Sequence, residues 1–348
     1  HQPRRERNPG ISKILRWALL STANINKALI GPLRQSARSE LAAVASRDVV
    51  RARAYADEHG IPQAFGSYEA LLADPAIDVI YLSLPNGLHA EWAIKAMQAG
   101  KHVLCEKPLV VSMAEFAQVE AAARASSVTI FEAFMYLHHP QTRRAIELVR
   151  SGRLGKLHLI NSWFNFHLPP ARAANVRLKA DLTGGSAWDV GVYPNSLSIA
   201  ALGEGAPVEV WAQQTIGESG VDVGMSAQLR FASGAVAQIS SSFRTPFREA
   251  AYLVGERGIL HLHEPWKPGV TGQESVMTLT DLDSRSERMV TPAIDPYLCE
   301  VQAMEACVLD GAAPVVTLQD SRDFLQSMLA IYTSARTGQV VRPAELSA

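Results

Sequence analysis

The sequence predicts an α/β protein, in which a parallel, doubly wound sheet is followed by an α+β domain with an antiparallel sheet. Three observations predict it. Before about Pro140, apolar strand-like runs alternate with helical patterns. Those runs are continuous in polarity, as strands are when helices cover both faces of a sheet. After Pro140, strands alternate polar with apolar residues and are joined by short glycine-containing turns, the pattern of an antiparallel sheet with one covered face.

The strand-like runs of the first part are 14–20, 41–46, 79–85, 102–108 and 128–135. Helices are predicted over 26–36, 49–60, 89–100 and 112–127. Gly60 and Gly100 can close the second and third, and Ser112 with Glu115 forms a capping-box pattern at the fourth. Repeated βα units imply parallel order. A further helix, 141–152, leads into the second part. There, 225–231 and 235–243 flank 232–234 as a hairpin, and 250–254 and 259–263 flank 255–258 as another. The run 208–216 alternates as well. The segment 317–338 is amphipathic, with Phe324, Met328, Ile331 and Ala335 on one stripe, Thr317 to cap it and Gly338 to end it. The chain thus divides into a disordered, tag-like tail over 1–12, a nucleotide-fold-like domain over 13–139 and an α+β domain over 140–348.

The chain has 348 residues, is 47% apolar and carries a formal net charge of −1, enough for two domains and a large core. Its charges are spread evenly, so no basic stripe is available for nucleic-acid phosphates. Three widely spaced cysteines, Cys105, Cys299 and Cys307, point to a reducing compartment without a disulfide framework. No apolar run approaches the ~20 residues of a membrane helix. The sequence reads as soluble and cytoplasmic.

Two clusters carry chemistry. Glu106-Lys107-Pro108 ends a buried-looking strand, where burying charges is costly unless they are paired; it presents Lys107 rigidly or forms an ordinary surface loop. In 183–195, TGGSAWDVGVYPN, Gly184-Gly185 allows close backbone approach, and Asp189 and Tyr193 are one helical turn apart. A phenol beside an ammonium has a lowered pKa. Lys107 next to Tyr193 would make an acid/base usable near neutral pH, with Asp189 fixing a substrate hydroxyl. His138-His139 lacks a third ligand at metal spacing, and no metal site is expected. Trp163, Phe164 and Phe166 read as sheet core.

Glu-Lys-Pro after the fourth strand, GG-x-x-x-D-x-G-x-Y over 184–193 and the two-domain order resemble the glucose–fructose oxidoreductase/inositol dehydrogenase (Gfo/Idh/MocA) family. The resemblance spans nearly the whole chain. It implies an N-terminal Rossmann domain binding NAD or NADP, and a C-terminal α+β domain whose large, mainly antiparallel, open sheet serves in oligomer contacts. It also implies action on sugars, cyclitols or related diols. The family lysine falls on Lys107, its motif aspartate on Asp189 and its acid/base on Tyr193, as in the tyrosine-bearing branch with trans-dihydrodiol dehydrogenase and aldose dehydrogenases. The stretch NVR-x-K-x-D-L-x-GG (175–185) also resembles that branch and makes Arg177 a contact of substrate or cofactor.

The family's G-x-x-G-x-G loop falls on ALLSTANI, 18–25, with Ala18, Ser21 and Ala23 at the glycine positions. Small side chains and free N–H groups at a helix start still suit a phosphate. Ser21, Thr22, Ala23, Asn24 and Ile25 are the expected pyrophosphate contacts, with Ser21 and Thr22 adding hydroxyl donors. The second strand ends at Ser46-Arg47, where NAD-preferring members carry an acid. Arg47 with Arg51 can meet a 2′-phosphate instead, so NADP is expected over NAD, with Asp48 pointing elsewhere. By resemblance, Leu84, Pro85, Asn86 and His89 line the nicotinamide side, with Glu106 and Lys107. The expected activity is NADP-dependent hydride transfer to or from a sugar, cyclic polyol or dihydrodiol carbon, in a homodimer or homotetramer. The alternatives are a retained-cofactor sugar-converting enzyme (a coupled oxidoreductase or transient-oxidation glycosidase) or a non-enzymatic nucleotide sensor.

Overall fold

The computed structural model describes residues 13–169, 171 and 175–346; the expected tail over 1–12 lies outside the described residues. The first sheet is built from β1 (Leu15–Leu19), β2 (Ser39–Ala45), β3 (Gln63–Phe65), β4 (Val79–Leu82), β5 (His102–Cys105) and β6 (Ile130–Glu132). Its order is β3-β2-β1-β4-β5-β6, with every pairing parallel. The order reverses between β1 and β4, and ligands of such sheets bind at that crevice, beyond the strands' carboxyl ends. Strand residues are buried on both faces, as their unbroken apolar runs require.

Five helices connect these strands: α1 (Asn26–Gln35), α2 (Val49–His59), α3 (Tyr68–Leu72), α4 (His89–Gln98) and α5 (Met113–Ala125). Gly60 ends α2 in the left-handed region, at φ 58°, which glycine adopts without a Cβ penalty. Ser112 caps α5 by accepting the Glu115 N–H, and the Glu115 carboxylate reaches back to the Val111 N–H. Strands β4 and β5 stop three residues short of the runs read from sequence, because 83–85 and 106–108 turn away to build the crevice rim. β3 and α3 were not anticipated; elements of three and five residues are too short to show a period.

Two helices, α6 (Met135–His138) and α7 (Pro140–Arg150), lead into β7 (Leu157–His167). A π-helical segment, Ala187–Gly191, runs into α8 (Val192–Leu202). Seven strands follow: β8 (Glu209–Ile216), β9 (Asp222–Arg230), β10 (Val236–Ser242), β11 (Arg244–Gly255), β12 (Gly258–Leu262), β13 (Ser275–Asp281) and β14 (Ser286–Thr291). Both predicted hairpins are present, β9 with β10 and β11 with β12. The sheet order is β14-β13-β12-β11-β7-β10-β9-β8, antiparallel except for β7 beside β10. One face is covered by α8 and by α10 (Leu318–Thr337), which Thr317 and Asp320 start as a capping box.

The helix α9 (Pro296–Asp310) departs from the simple two-block division. It packs on α1 of the first domain. Glu305 accepts from Ser36 and Ser39 at 2.5 and 2.6 Å, and Arg38 makes two bonds to Asp310.

Candidate active site

The rim after β5 is shaped by Glu106, Lys107 and Pro108, whose Lys107–Pro108 peptide is cis. The Glu106 carboxyl accepts from the Tyr81 hydroxyl at 2.5 Å and from the Lys107 N–H at 3.3 Å. Burial raises its pKa against the pull of Lys107. Glu106 thus braces the rim from behind. The Lys107 ammonium points across the crevice. It donates to the Asp189 carbonyl at 2.5 Å and lies 3.6 Å from that residue's carboxylate. It also lies 5.2 Å from the centre of the Tyr193 ring. The three residues expected to carry catalysis are therefore together, although 82 positions separate Lys107 from Asp189 in the chain.

Asp189 sits in the π-helical segment and Tyr193 in the first turn of α8. The other Asp189 oxygen accepts Arg177 Nε at 2.7 Å, so Arg177 joins the cluster through Asp189. The adjacent glycines serve the chain itself rather than a ligand. A Cβ on Gly184 would lie 2.5 Å from the Arg177 carbonyl. On Gly185, at φ +123°, it would lie 2.1 Å from Asp222 Oδ1. Asp222, which sequence reasoning missed, accepts from the Ser186 hydroxyl, the Ala187 N–H and the Tyr332 hydroxyl at 2.7, 2.9 and 2.7 Å. It fixes the turn that aims Asp189.

Tyr193 is buried among Phe134, Tyr136, Phe164 and Trp266, with ring centres 5.4–6.0 Å away. Its hydroxyl rests 3.8 Å from Met135 Sδ, a weak acceptor. The expectation that Lys107 lowers the phenol pKa is overturned. Burial drives it well above 10, and Tyr297 and Glu106 push the same way. Lys107 donates its hydrogen bond to the Asp189 carbonyl and faces the phenol's ring, so Tyr193 keeps its proton at neutral pH.

The turn after β1 holds without glycine. Ser21 is buried and its hydroxyl faces inward, 2.8 Å from Ser83 Oγ, while accepting the Ala23 N–H at 3.1 Å. Its φ of 159° is essentially extended backbone, open to any residue. Asn26 Nδ2 donates to the Ser21 carbonyl at 2.8 Å, and Ser83 donates to Asn26 Oδ1 at 2.6 Å. The Ser21 hydroxyl is thus spent on the turn and is not a phosphate donor. Asn24 is exposed, and Ile25 starts α1 with no side-chain cap, so main-chain N–H groups at the helix start remain for an anion. Thr22 Oγ1 accepts Arg51 Nε at 2.8 Å, which carries a cation from α2 to the loop.

Ser46 is buried just past β2, and Arg47 beyond it is exposed. Burial raises the Tyr68 phenol pKa, and the charges of Arg47 and Arg51 both lower it, so two guanidiniums gather there. Asp48 turns back to cap α2 through the Val50 N–H at 2.8 Å. These residues fit a nucleotide carrying a 2′-phosphate: two guanidiniums, neither of them in an ion pair among the described residues.

On the opposite rim, Pro85 is exposed and Asn86 Nδ2 donates to the Thr183 carbonyl at 3.2 Å, joining the domains. Leu84 and His89 lie behind the rim. The His89 ring is fully buried, with Nδ1 2.7 Å from the Pro108 carbonyl and Nε2 2.7 Å from the Leu84 carbonyl. Burial lowers its pKa. A neutral His89 donates to one of these two carbonyls, and its ring, wholly buried between them, lies behind the cleft instead of lining it as expected.

His138 is buried and burial lowers its pKa to about 3, so it is neutral core. His139 caps α7. No group of three metal-ligating side chains occurs among the described residues. Trp163, Phe164 and Phe166 lie on β7; Phe164 joins the cluster around Tyr193. Lys267, Glu249 and Trp266 were missed from sequence. The proline-bracketed stretch EPWKP (264–268) is the one signal for Trp266 and Lys267, and Glu249 lies within β11 with none.

A model of the oxidoreductase family with an NAD-binding Rossmann fold matches residues 15–134, and one of the GFO/IDH/MocA C-terminal domain matches 142–261. The chain belongs to the Gfo/Idh/MocA family. It is 43% identical to a D-xylose 1-dehydrogenase (NADP(+)) of Haloferax volcanii, over 93% of this chain and 98% of the relative. It is 28% identical to a Xenopus tropicalis trans-1,2-dihydrobenzene-1,2-diol dehydrogenase, over 88% and 93%. The 3-ketoreductase KijD10 of Actinomadura kijaniata, solved with NADP and TDP-benzene, superposes with a TM-score of 0.84 at 29% identity, covering 92% of this chain and 98% of that one.

Proposed function

We propose that this Gfo/Idh/MocA protein is an NADP-dependent oxidoreductase that moves a hydride between nicotinamide and a hydroxyl-bearing or carbonyl carbon of a sugar or related cyclic polyol. The convergence of Lys107, Asp189 and Tyr193 at the crevice carries the reading. The kinship with an NADP-dependent xylose dehydrogenase makes an aldose the first substrate to try. When bound, the dinucleotide supplies the hydride acceptor or donor.

The protein's own residues do the rest. Ala23, Asn24, Ile25 and Thr22 receive the pyrophosphate, and Arg47 and Arg51 the 2′-phosphate. Pro85 and Asn86 flank the nicotinamide side. A substrate oxygen takes the place of Met135 Sδ at the Tyr193 hydroxyl. Asp189, held by Arg177 and Lys107, accepts from a neighbouring substrate hydroxyl. Because Tyr193 holds its proton, it serves most directly as the acid that protonates the oxygen of a carbonyl being reduced. In oxidation, Tyr193 must already have lost its proton in order to take up the one that leaves the substrate hydroxyl. The aromatic wall of Phe134, Phe164 and Trp266 keeps water from the reacting atoms.

Unpaired cysteines throughout fit a cytoplasmic protein, and no helix among the described residues is long and apolar enough to cross a membrane. The sheet face away from α8 and α10 exposes Trp211, Ile259 and Val290. It is the face through which a homodimer or homotetramer would form.

The test is steady-state kinetics with NADP+ or NAD+ and a panel of aldoses and cyclic diols. Reduction of NADP+ by at least one of them is expected. No turnover of either nucleotide with any of them, in protein that binds NADPH, would refute the reading.

A further inference from the structure

We propose that Phe247 is the outer platform of the substrate site, and that it selects cyclic substrates by stacking on the C–H face of their ring. This rests on the dehydrogenase reading above and deepens it.

An irregularity in β11 presents Phe247. Arg244 pairs with His167 and Arg248 with Asn165, so Thr245, Pro246 and Phe247 together face the single residue Phe166. Extra residues of this kind bend a strand and re-aim a side chain, and they are over-represented beside active sites. Pro246 stiffens the stretch, because its ring fixes φ. Side chains alternate between the two faces of a sheet. Arg248 reaches over the Trp163 ring at 4.8 Å, on the open face of the sheet. Phe247 takes the other face, which it shares with Glu249 and the buried Ala251 and Leu253. Tyr193 and α8 pack on that face.

The Phe247 ring stands at 89° to Phe164, with centres 6.3 Å apart. Phe164 lies 5.4 Å from Tyr193 and stacks on Trp266 at 6.2 Å. Phe247 therefore continues the aromatic wall outward from the reacting phenol by one ring. The inner rings are buried, Phe164 at 6% exposure and Trp266 at 0%, whereas Phe247 is 66% exposed. A phenyl left in water forgoes the free energy that covering it would supply. A second copy of the chain would use the open face, where Trp211, Ile259 and Val290 lie, and Phe247 points away from them. A molecule seated against Tyr193 is what can cover Phe247.

Cyclic polyols suit such a platform. A pyranose with equatorial hydroxyls turns axial C–H bonds to both faces, and their slight positive charge is attracted to the negative face of a phenyl. The hydroxyls around its rim stay free for Asp189 and Tyr193. The unsaturated ring of a dihydrodiol offers a flatter apolar face still. An open-chain polyol has no such face, and it loses more conformational freedom on binding. Stacking away from the reacting carbon acts on substrate and transition state alike, so it sets KM and leaves kcat.

The test measures kcat and KM with NADP+ for D-xylose, a ring sugar, and D-glyceraldehyde, an open-chain aldose, in the full chain. Phe247→Ala should raise KM for D-xylose by about tenfold, within the range an apolar contact commands. Its kcat and its KM for NADP+ should stay within about twofold of wild type. KM for D-glyceraldehyde should not change, and Phe247→Tyr should keep the wild-type value for D-xylose. If D-glyceraldehyde is not turned over, its inhibition constant against D-xylose is read instead. An unchanged KM for D-xylose, an equal rise for both aldoses, or a rise that Phe247→Tyr shares would overturn the platform and leave the dehydrogenase reading standing. So would a matching rise in KM for NADP+, which would move Phe247 to the nucleotide, or dissociation of an oligomer, which would move it to a subunit contact. If the wild-type protein oxidises no sugar or cyclic diol, both readings fall. Should Phe247→Ala not fold, Phe247→Leu, which keeps the bulk without the flat ring, takes its place.

Discussion

The Lys107 ammonium reaches the main-chain carbonyl of Asp189 at 2.5 Å, closer than that residue's carboxylate at 3.6 Å. Lys107 therefore staples the π-helical segment to the first domain and leaves the Asp189 side chain to Arg177. Replacing Lys107 by Met should remove both the staple and the charge. We expect turnover to fall by roughly 10²–10⁴-fold while NADPH still binds, as read by fluorescence titration. Near-normal turnover would exclude Lys107 from the reaction.

Tyr193→Phe should abolish turnover by a comparable factor, with little change in melting temperature, because the lost hydroxyl meets only Met135 Sδ. The raised phenol pKa adds a sign. A group needed deprotonated for oxidation is scarce below its pKa. Oxidation should therefore keep rising with pH up to and beyond ~10, the ordinary phenol value, while reduction stays flat through neutrality. An oxidation plateau near pH 7 would contradict a buried, protonated Tyr193.

Arg47→Ser together with Arg51→Gln should weaken NADPH and leave NADH nearly unchanged. Losing two phosphate partners predicts a drop of roughly 10²-fold, about 3 kcal/mol at 1.4 kcal/mol per decade. Equal weakening of both nucleotides would place these arginines on the shared pyrophosphate instead.

Gly185→Ala should destabilise the fold by a few kcal/mol, because its Cβ would sit 2.1 Å from Asp222 Oδ1 at a φ that side chains avoid. Asp222→Asn should be milder in stability. It should still lower kcat, because it loosens the turn that aims Asp189. Thermal melts and steady-state kinetics on both variants separate the two effects.

Glu132 gives the fold a pH dependence. It is buried, accepts the Leu109 N–H at 2.8 Å and borders a cavity of about 10 Å³ shared with Trp188, Asn195 and Ser321. Burial raises its pKa from 4.5 to about 7. The native carboxyl thus holds its proton where the unfolded one has lost it. Its contribution is whole below about pH 4.5 and is lost as pH rises through 7, by about 3 kcal/mol at most. Glu132→Gln should remove that slope and raise the melting temperature at pH 8 relative to wild type. An unchanged slope would assign the dependence elsewhere.

Much of this fold is legible in the sequence because periodicity reports burial. The strands 15–19 and 79–82 show as continuous apolar runs, and α10 shows as a stripe with its cap. The proposed trio of Lys107, Asp189 and Tyr193 is legible through its motifs. Orientation is not. That Ser21 faces inward and that Lys107 meets a carbonyl are settled by packing between segments 57 to 82 residues apart, and that His89 lies behind the rim by contacts with carbonyls 5 and 19 residues away. Glu249 escaped for the same reason: it belongs to no pattern along the chain, and it meets Trp266 only through the folded second sheet.

The docking of α9 onto α1 has a consequence for biogenesis. Ser36 and Ser39 find their acceptor in Glu305, 269 and 266 residues downstream. At ribosomal speeds of about 5–20 residues per second, the nascent first domain waits roughly 10–50 s for that helix. Until then a face of α1 stays open to other chains, so a ribosome stalled between the two segments would leave an incomplete nucleotide-binding unit as a substrate for chaperones.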